Sequence, residues 1–69
     1  MKKLIAPGRL KDRDEDTKLT SIYIDKKSLK WIEENSTGNK QLIFNYLLKK
    51  GIEHISSEES VVIIESLED

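Results

Sequence analysis

Residues 18–24, Lys-Leu-Thr-Ser-Ile-Tyr-Ile, alternate between two faces and are rich in β-branched and aromatic side chains. The alternation predicts a β-strand whose apolar face contains Ile22 and Ile24. The opposite face would present Leu19, Ser21 and Tyr23. This is the one clear strand pattern in the chain, and an unpaired strand leaves both of its edges open. We therefore expect it to pair with the same strand of a second copy.

A first helix is predicted directly after the strand, from about Lys26 to Asn35. Asp25 is a good N-cap, because its carboxylate can accept hydrogen bonds from the free amides of the first turn. Leu29 and Ile32 have the i, i+3 spacing of a core-facing stripe. Ser36-Thr37-Gly38 would end the helix, with Gly38 available for a left-handed turn.

A second helix is predicted from the N-cap Asn39 to about Ile55. Its apolar residues cover two adjacent faces, wider than one partner helix would bury. Gly51 interrupts them and marks either a close helix crossing or the helix end. The apolar residues are Leu42, Ile43, Phe44, Tyr46, Leu47, Leu48 and Ile55.

Residues 56–69 allow two interpretations. Ser56 and Glu59 have the spacing of a capping box, which predicts a third helix over about residues 57–67. Residues 61–64, Val-Val-Ile-Ile, are all β-branched and would also suit a strand. We expect the helix, packed on the rest of the protein, because four such residues would not remain exposed in a stable monomer.

Residues 1–17 are predicted to be a flexible arm, because they are polar and show neither helical nor strand periodicity. The first residues resemble the start of a signal peptide, but the apolar stretch ends at Pro7-Gly8 and is too short for one. No apolar run approaches the length of a membrane span.

The length of 69 residues limits what a single chain can stabilise. Domains of this size bury only about 60% of their unfolded surface and usually need a disulfide, a metal or a partner chain. The chain has no Cys and one His, which excludes disulfides and leaves no ligand set for zinc. Oligomerisation remains, and we expect a homodimer. The sequence predicts no cofactor, no metal site and no enzymatic activity, because it shows no acid–base pair or nucleophile constellation.

The net charge of −1 conceals an uneven distribution. Residues 17–52 contain seven lysines and three acids, a net charge of +4. Residues 53–69 contain six acids and no Lys or Arg, a net charge of −6. A basic centre can therefore present a positive face to nucleic acid despite the acidic total.

A strand followed by a helix, a short glycine-containing turn and a second helix resembles the ribbon-helix-helix family of DNA-binding proteins. The resemblance covers about residues 18–55. It is carried by the strand at residues 18–24, the Asp25 cap, the turn at residues 37–41 and the apolar residues of the two helices. It implies an α+β, mostly helical fold in which one strand per chain pairs across an intertwined homodimer. Two core helices and the third C-terminal helix would complete the fold, with residues 1–17 as the arm and 56–69 as an acidic extension.

In this family the paired strands enter the major groove, where outward side chains contact base edges. The resemblance implies that Leu19, Ser21 and Tyr23 contact bases. It also implies that the N-terminus of the second helix binds a phosphate. The expected phosphate contacts are Lys18, Lys26, Lys27, Gly38, Asn39 and Lys40. The expected dimer core is Ile22, Ile24, Leu29, Ile32, Ile43 and Leu47.

The function predicted from these features is a homodimeric, sequence-specific regulator of transcription, such as a repressor, bound to double-stranded DNA. Two alternatives stay open. The chain could be an antitoxin whose C-terminal segment binds a basic toxin, or a dimeric interaction module without nucleic acid. The expected location is the cytoplasm, or the host-cell interior for a viral or plasmid-encoded protein.

Overall fold

A computed structural model of the chain describes residues 2–9 and 17–66. These residues form two helices, α1 (Lys26–Asn35) and α2 (Lys40–Ser56), and two short strands, β1 (Leu4–Ala6) and β2 (Ser36–Gly38). The fold is therefore α+β and mostly helical, and both predicted helices are confirmed. Within the described ranges, no helix combines the length and apolar character needed to cross a membrane.

Both helices begin at the predicted caps. A carboxylate oxygen of Asp25 accepts hydrogen bonds from the amide of Ser28, at 3.0 Å, and from its hydroxyl, at 3.2 Å. The side-chain oxygen of Asn39 accepts from the amides of Gln41 and Leu42, at 2.9 and 3.2 Å. Each cap satisfies amides that have no partner inside the helix, which is why helix formation starts at these residues.

The corner between the helices (residues 36–40) depends on Gly38. Its φ of +105° lies in a region that L side chains rarely adopt. A Cβ placed on Gly38 would lie 2.2 Å from the backbone oxygen of Ala6. Glycine is therefore required twice here, by the backbone conformation and by the close approach of β1.

Strand β1 pairs with β2 in parallel, in the register Leu4 to Ser36, Ile5 to Thr37 and Ala6 to Gly38. Residues 4–6 belong to the predicted flexible arm, so this strand was not expected from the sequence. Parallel pairing requires a long crossover, and here residues 7–35, which include α1, provide it. Residues 10–16 of the predicted arm lie outside the described residues.

The core of the described residues is small. Its buried hydrophobic side chains are Ile32, 7% exposed, and Ile43, 2% exposed. Ser36, 3% exposed, is buried beside them. Leu29 and Leu47 are half-buried, as expected for a stripe whose other side lacks a partner. The expected core contribution of Ile22 and Ile24 is absent from the single chain, where Ile22 is 71% exposed.

Residues 18–24 do not form a strand in the single chain, and their predicted pairing with a second copy stays a prediction. A strand requires a hydrogen-bonded neighbour, and the sheet in the described part of the chain consists of β1 and β2 alone. The predicted neighbour was a second copy, so the isolated chain leaves this segment irregular.

The predicted third helix is also absent from residues 57–66, and residues 67–69 lie outside the described ranges. Ser56 does not act as an N-cap, because it is the last residue of α2. The Ser57 hydroxyl donates to the carbonyl of His54 at 2.7 Å, so it belongs to the end of α2 as well. The β-branched run at residues 61–64 further disfavours a helix.

Candidate nucleic-acid interface

The ribbon segment (residues 18–24) enters α1 directly through the Asp25 cap. All three side chains expected to contact bases, Leu19, Ser21 and Tyr23, are exposed, and Tyr23 is fully exposed. The neighbouring Ile22 is exposed as well. The ribbon segment therefore presents apolar and hydrogen-bonding side chains to solvent on both of its faces.

Lysines lie at both ends of the ribbon segment. Lys18 is its first residue, and Lys26 and Lys27 occupy the first turn of α1; all three are exposed. Lys30, one turn later, is also exposed. The first turn of α1 contains no acidic residue, and Asp25 caps it.

The corner holds the other three expected phosphate contacts, Gly38, Asn39 and Lys40. The backbone amide of Asn39 is engaged, because it donates to the carbonyl of Ala6 at 2.8 Å. The amides of Gln41 and Leu42 are engaged by the Asn39 side chain, as described above. In the single chain, the N-terminus of α2 thus has internal acceptors for three of its amides.

Lys40 is held at the corner by Ser36. The Lys40 Nζ atom donates to the Ser36 hydroxyl oxygen at 3.0 Å. That hydroxyl in turn donates to the carbonyl of Ile32, in the last turns of α1. The buried Ser36 therefore positions a cation over the point where the two helices meet.

Residues 2–8 form a segment, here named the strap, that contacts the same corner. The sequence did not predict this contact. The Lys3 amide donates to the carbonyl of Asn35 at 2.8 Å. Lys2 Nζ donates to the carbonyl of Glu34 at 2.9 Å and lies 3.4 Å from that of Glu33. These carbonyls lie at the C-terminal end of α1, where a cation is favourable. The one signal in the sequence is the short apolar run Leu4-Ile5-Ala6, which is too brief to predict a strand by itself.

A shallow groove of about 440 Å³ separates the strap from α2. Leu42, Ile43 and Tyr46 form the α2 side, and residues 3–8 form the other. Gly8 lies close to the α2 side of the groove, since a Cβ built on it would be 3.6 Å from Leu42 Cδ1. The strap therefore contacts α2 as well as β2.

The C-terminal tail (residues 57–66) projects from α2 without burying its apolar side chains. Val61 is 87% exposed, and Ile63 and Ile64 are also largely exposed. Glu58, Glu59 and Glu65 surround this apolar block and are exposed too. The tail presents an acidic and apolar surface to solvent.

The residues that the structure describes contain no cluster of His, Asp and Glu suited to hold a metal ion. Comparisons with protein-family models, with curated proteins and with solved structures find no match to this chain.

Proposed function

We propose that this chain is a homodimeric, sequence-specific DNA-binding regulator of transcription. Two ribbon segments would pair antiparallel and enter the major groove, with Leu19, Ser21 and Tyr23 against base edges. The observation that carries the proposal is the exposed ribbon segment, which has lysines at both ends and leads directly into a capped helix and a helix–turn–helix corner.

The surface of the single chain supports the dimer. The chain exposes 6859 Å², whereas a folded monomer of 8.0 kDa is expected to expose about 4,500 Å². Part of the excess is apolar and lies on the ribbon segment and on the outer face of α2, where Leu48, Ile52 and Ile55 are exposed. A second copy would cover both regions with one symmetric interface.

The distribution of charge supports a nucleic-acid partner. In a dimer the lysines at residues 18, 26, 27 and 40 occur twice, and phosphate contacts supply much of the affinity for DNA. Leu19 and Tyr23 suit contact with a thymine methyl group, and the hydroxyls of Ser21 and Tyr23 can hydrogen-bond to base edges.

The test combines oligomeric state with a titration. Sedimentation equilibrium should give a dimer, and ¹⁵N spectra recorded with a mixed-sequence duplex should shift at residues 18–24 and 38–40. If six or more phosphates are contacted, affinity should fall about a thousandfold or more between about 50 and about 200 mM salt.

The matched control is Glu53→Gln, which changes charge on an exposed part of α2 away from the ribbon segment and the corner. The Glu53→Gln protein should show the same duplex-induced shifts at residues 18–24 and 38–40 as the wild type. A folded dimer that binds no duplex at low salt would contradict DNA binding and favour a dimeric interaction module. A protein that stays monomeric at high concentration would contradict the paired ribbon.

The exposed tail favours a second candidate, an antitoxin with the same DNA-binding dimer. Its acidic residues and its apolar block at residues 61–64 would fold onto a basic toxin. Exposed apolar patches that persist in a folded protein commonly mark partner sites.

Deleting residues 57–69 discriminates between these roles of the tail. A dimer that keeps its stability and its affinity for DNA supports a partner-binding tail. Loss of dimer stability supports a tail that packs on the second copy and rejects the antitoxin. Full-length protein with residues 61–64 changed to Ser is the control for effects of shortening the chain.

A further inference from the structure

The strap and the proposed DNA phosphate compete for the same end of α2. The Ala6 carbonyl accepts the Asn39 amide, and the Lys3 amide is bonded to Asn35 one residue before the corner. β1 also pairs along the whole of β2, through Gly38. A phosphate oxygen cannot accept from the Asn39 amide while the carbonyl of Ala6 does so.

We propose that residues 2–8 are an autoinhibitory strap, which must leave the corner before the Asn39 amide can bind DNA phosphate. The proposal rests on the DNA-binding function proposed above. The strap is held by a few backbone hydrogen bonds, the contacts of Lys2 and the half-buried side chains of Leu4 and Ala6. β1 is an edge strand of only three residues, and no side chain in it is fully buried. A segment with so few buried contacts can open locally while the helices stay folded.

The released strap would also have a role on DNA. It carries Lys2 and Lys3, and Arg9 follows it, so the peptide that leaves the corner is cationic and can follow the phosphate backbone. Opening therefore exchanges a neutral acceptor, the Ala6 carbonyl, for an anion at the same amide. Each strap that is closed about nine-tenths of the time weakens the apparent affinity about tenfold, so the two straps of a dimer together weaken it about a hundredfold.

The variant that tests the strap keeps its length and charge. Combining Leu4→Gly, Ile5→Ser and Ala6→Gly removes the strand-forming residues and the half-buried side chains but keeps all three cations. Ile5→Ser alone is the matched control, because Ile5 is the exposed member of β1 and its loss should leave the strap in place. A deletion of residues 2–8 would be less informative, since it also removes two phosphate-binding charges.

The measurements are duplex affinity at two salt concentrations and hydrogen exchange of the Asn39 amide. The triple variant should bind about a hundredfold more tightly at both salts, with the same salt slope, and its Asn39 amide should exchange faster in the free protein. In wild type, adding duplex should move the resonances of residues 2–8 away from their docked chemical shifts.

Equal or weaker binding by the triple variant, or strap resonances that keep their docked shifts on DNA, would overturn the strap and leave the DNA-binding function intact. Binding by neither protein at low salt would reject the proposed function itself. Circular dichroism of the triple variant separates either result from unfolding, because α1 and α2 should retain their helicity.

Discussion

The ammonium group of Lys40 lies 3.0 Å from the hydroxyl of Ser36, which is itself buried and donates to the carbonyl of Ile32. One small polar side chain thus connects the end of α1 to the start of α2. The corner is stabilised by hydrogen bonding as well as by the thin apolar core, and this arrangement can be tested by removing a single oxygen atom.

Ser36→Ala should lower the free energy of unfolding by about 1 kcal/mol, the net value of a typical buried hydrogen bond. Urea denaturation followed by circular dichroism measures the change. Ser57→Ala is a matched control, because the Ser57 hydroxyl also donates to a backbone carbonyl, that of His54, but is exposed. Equal losses in the two variants would contradict a special role for Ser36.

Lys40→Ala should weaken binding to all DNA sequences alike, because a phosphate contact carries no base information. With two copies per dimer, the slope of log affinity against log salt should become shallower by about 2. Titrations of a selected operator and a scrambled duplex at several salt concentrations measure both effects. A change confined to the selected operator would show that Lys40 contacts a base instead.

Tyr23→Ala should reduce discrimination between a selected operator and a scrambled duplex about fivefold, or about 1 kcal/mol, at the lower end of values for base contacts. The Tyr23 side chain is fully exposed in the single chain, so the fold of the chain should be unaffected. Tyr23→Phe separates the hydroxyl from the ring, and Ser21→Ala should reduce discrimination in the same way. Undiminished discrimination in all three variants would remove this face of the ribbon segment from the interface.

The substitution Gly51→Ala tests whether α2 of a second copy crosses α2 at Gly51 or whether Gly51 is simply exposed. A Cβ on Gly51 meets no atom within 4 Å in the single chain, and alanine is favoured over glycine within a helix by about 1 kcal/mol. A shallow apolar groove formed by Leu47, Leu48, Ile52 and Ile55 lies beside it. If α2 of the second copy crosses here, the added methyl group should weaken the dimer about tenfold through overpacking.

Sedimentation equilibrium measures this effect, with Lys49→Ala as a control that adds alanine to the exposed side of α2. A Gly51→Ala protein that is more stable by about 1 kcal/mol and dimerises as before would place Gly51 outside the interface.

The features that sequence predicted well are those decided by neighbours in the chain. Asp25 and Asn39 act on amides two or three residues away, and Gly38 is required by its own backbone angle, so each can be recognised from a short window. The starts of α1 and α2 follow from the two caps.

The features that sequence missed depend on distant or absent partners. β1 pairs with residues far along the chain, and three residues of Leu-Ile-Ala carry too little pattern to indicate a parallel neighbour. The strand predicted at residues 18–24 has no hydrogen-bonded neighbour in the described part of the chain, and its pairing with a second copy stays a prediction. In the tail, the spacing of Ser56 and Glu59 suggested a cap, but α2 continues through Ser56 and uses that residue for its own end.

For the candidate site, the exposure of Leu19, Ser21, Tyr23 and the lysines is compatible with the contacts that the resemblance implies. Their binding to DNA stays a prediction. The hydrogen bond from the Asn39 amide to the Ala6 carbonyl could not have been predicted, because the sequence does not show which donor a backbone carbonyl accepts from.

The parallel pairing of β1 with β2 also constrains the order in which the chain can fold. Its paired residues lie 32 positions apart, whereas α1, the corner and α2 are built from contacts between close neighbours. Non-local contacts form late, because the intervening loop must close before they become favourable. β1 is synthesised before β2, so it stays unpaired at least until residues 36–38 have been added. We expect the helical hairpin to form first and the amino-terminal strand to dock last.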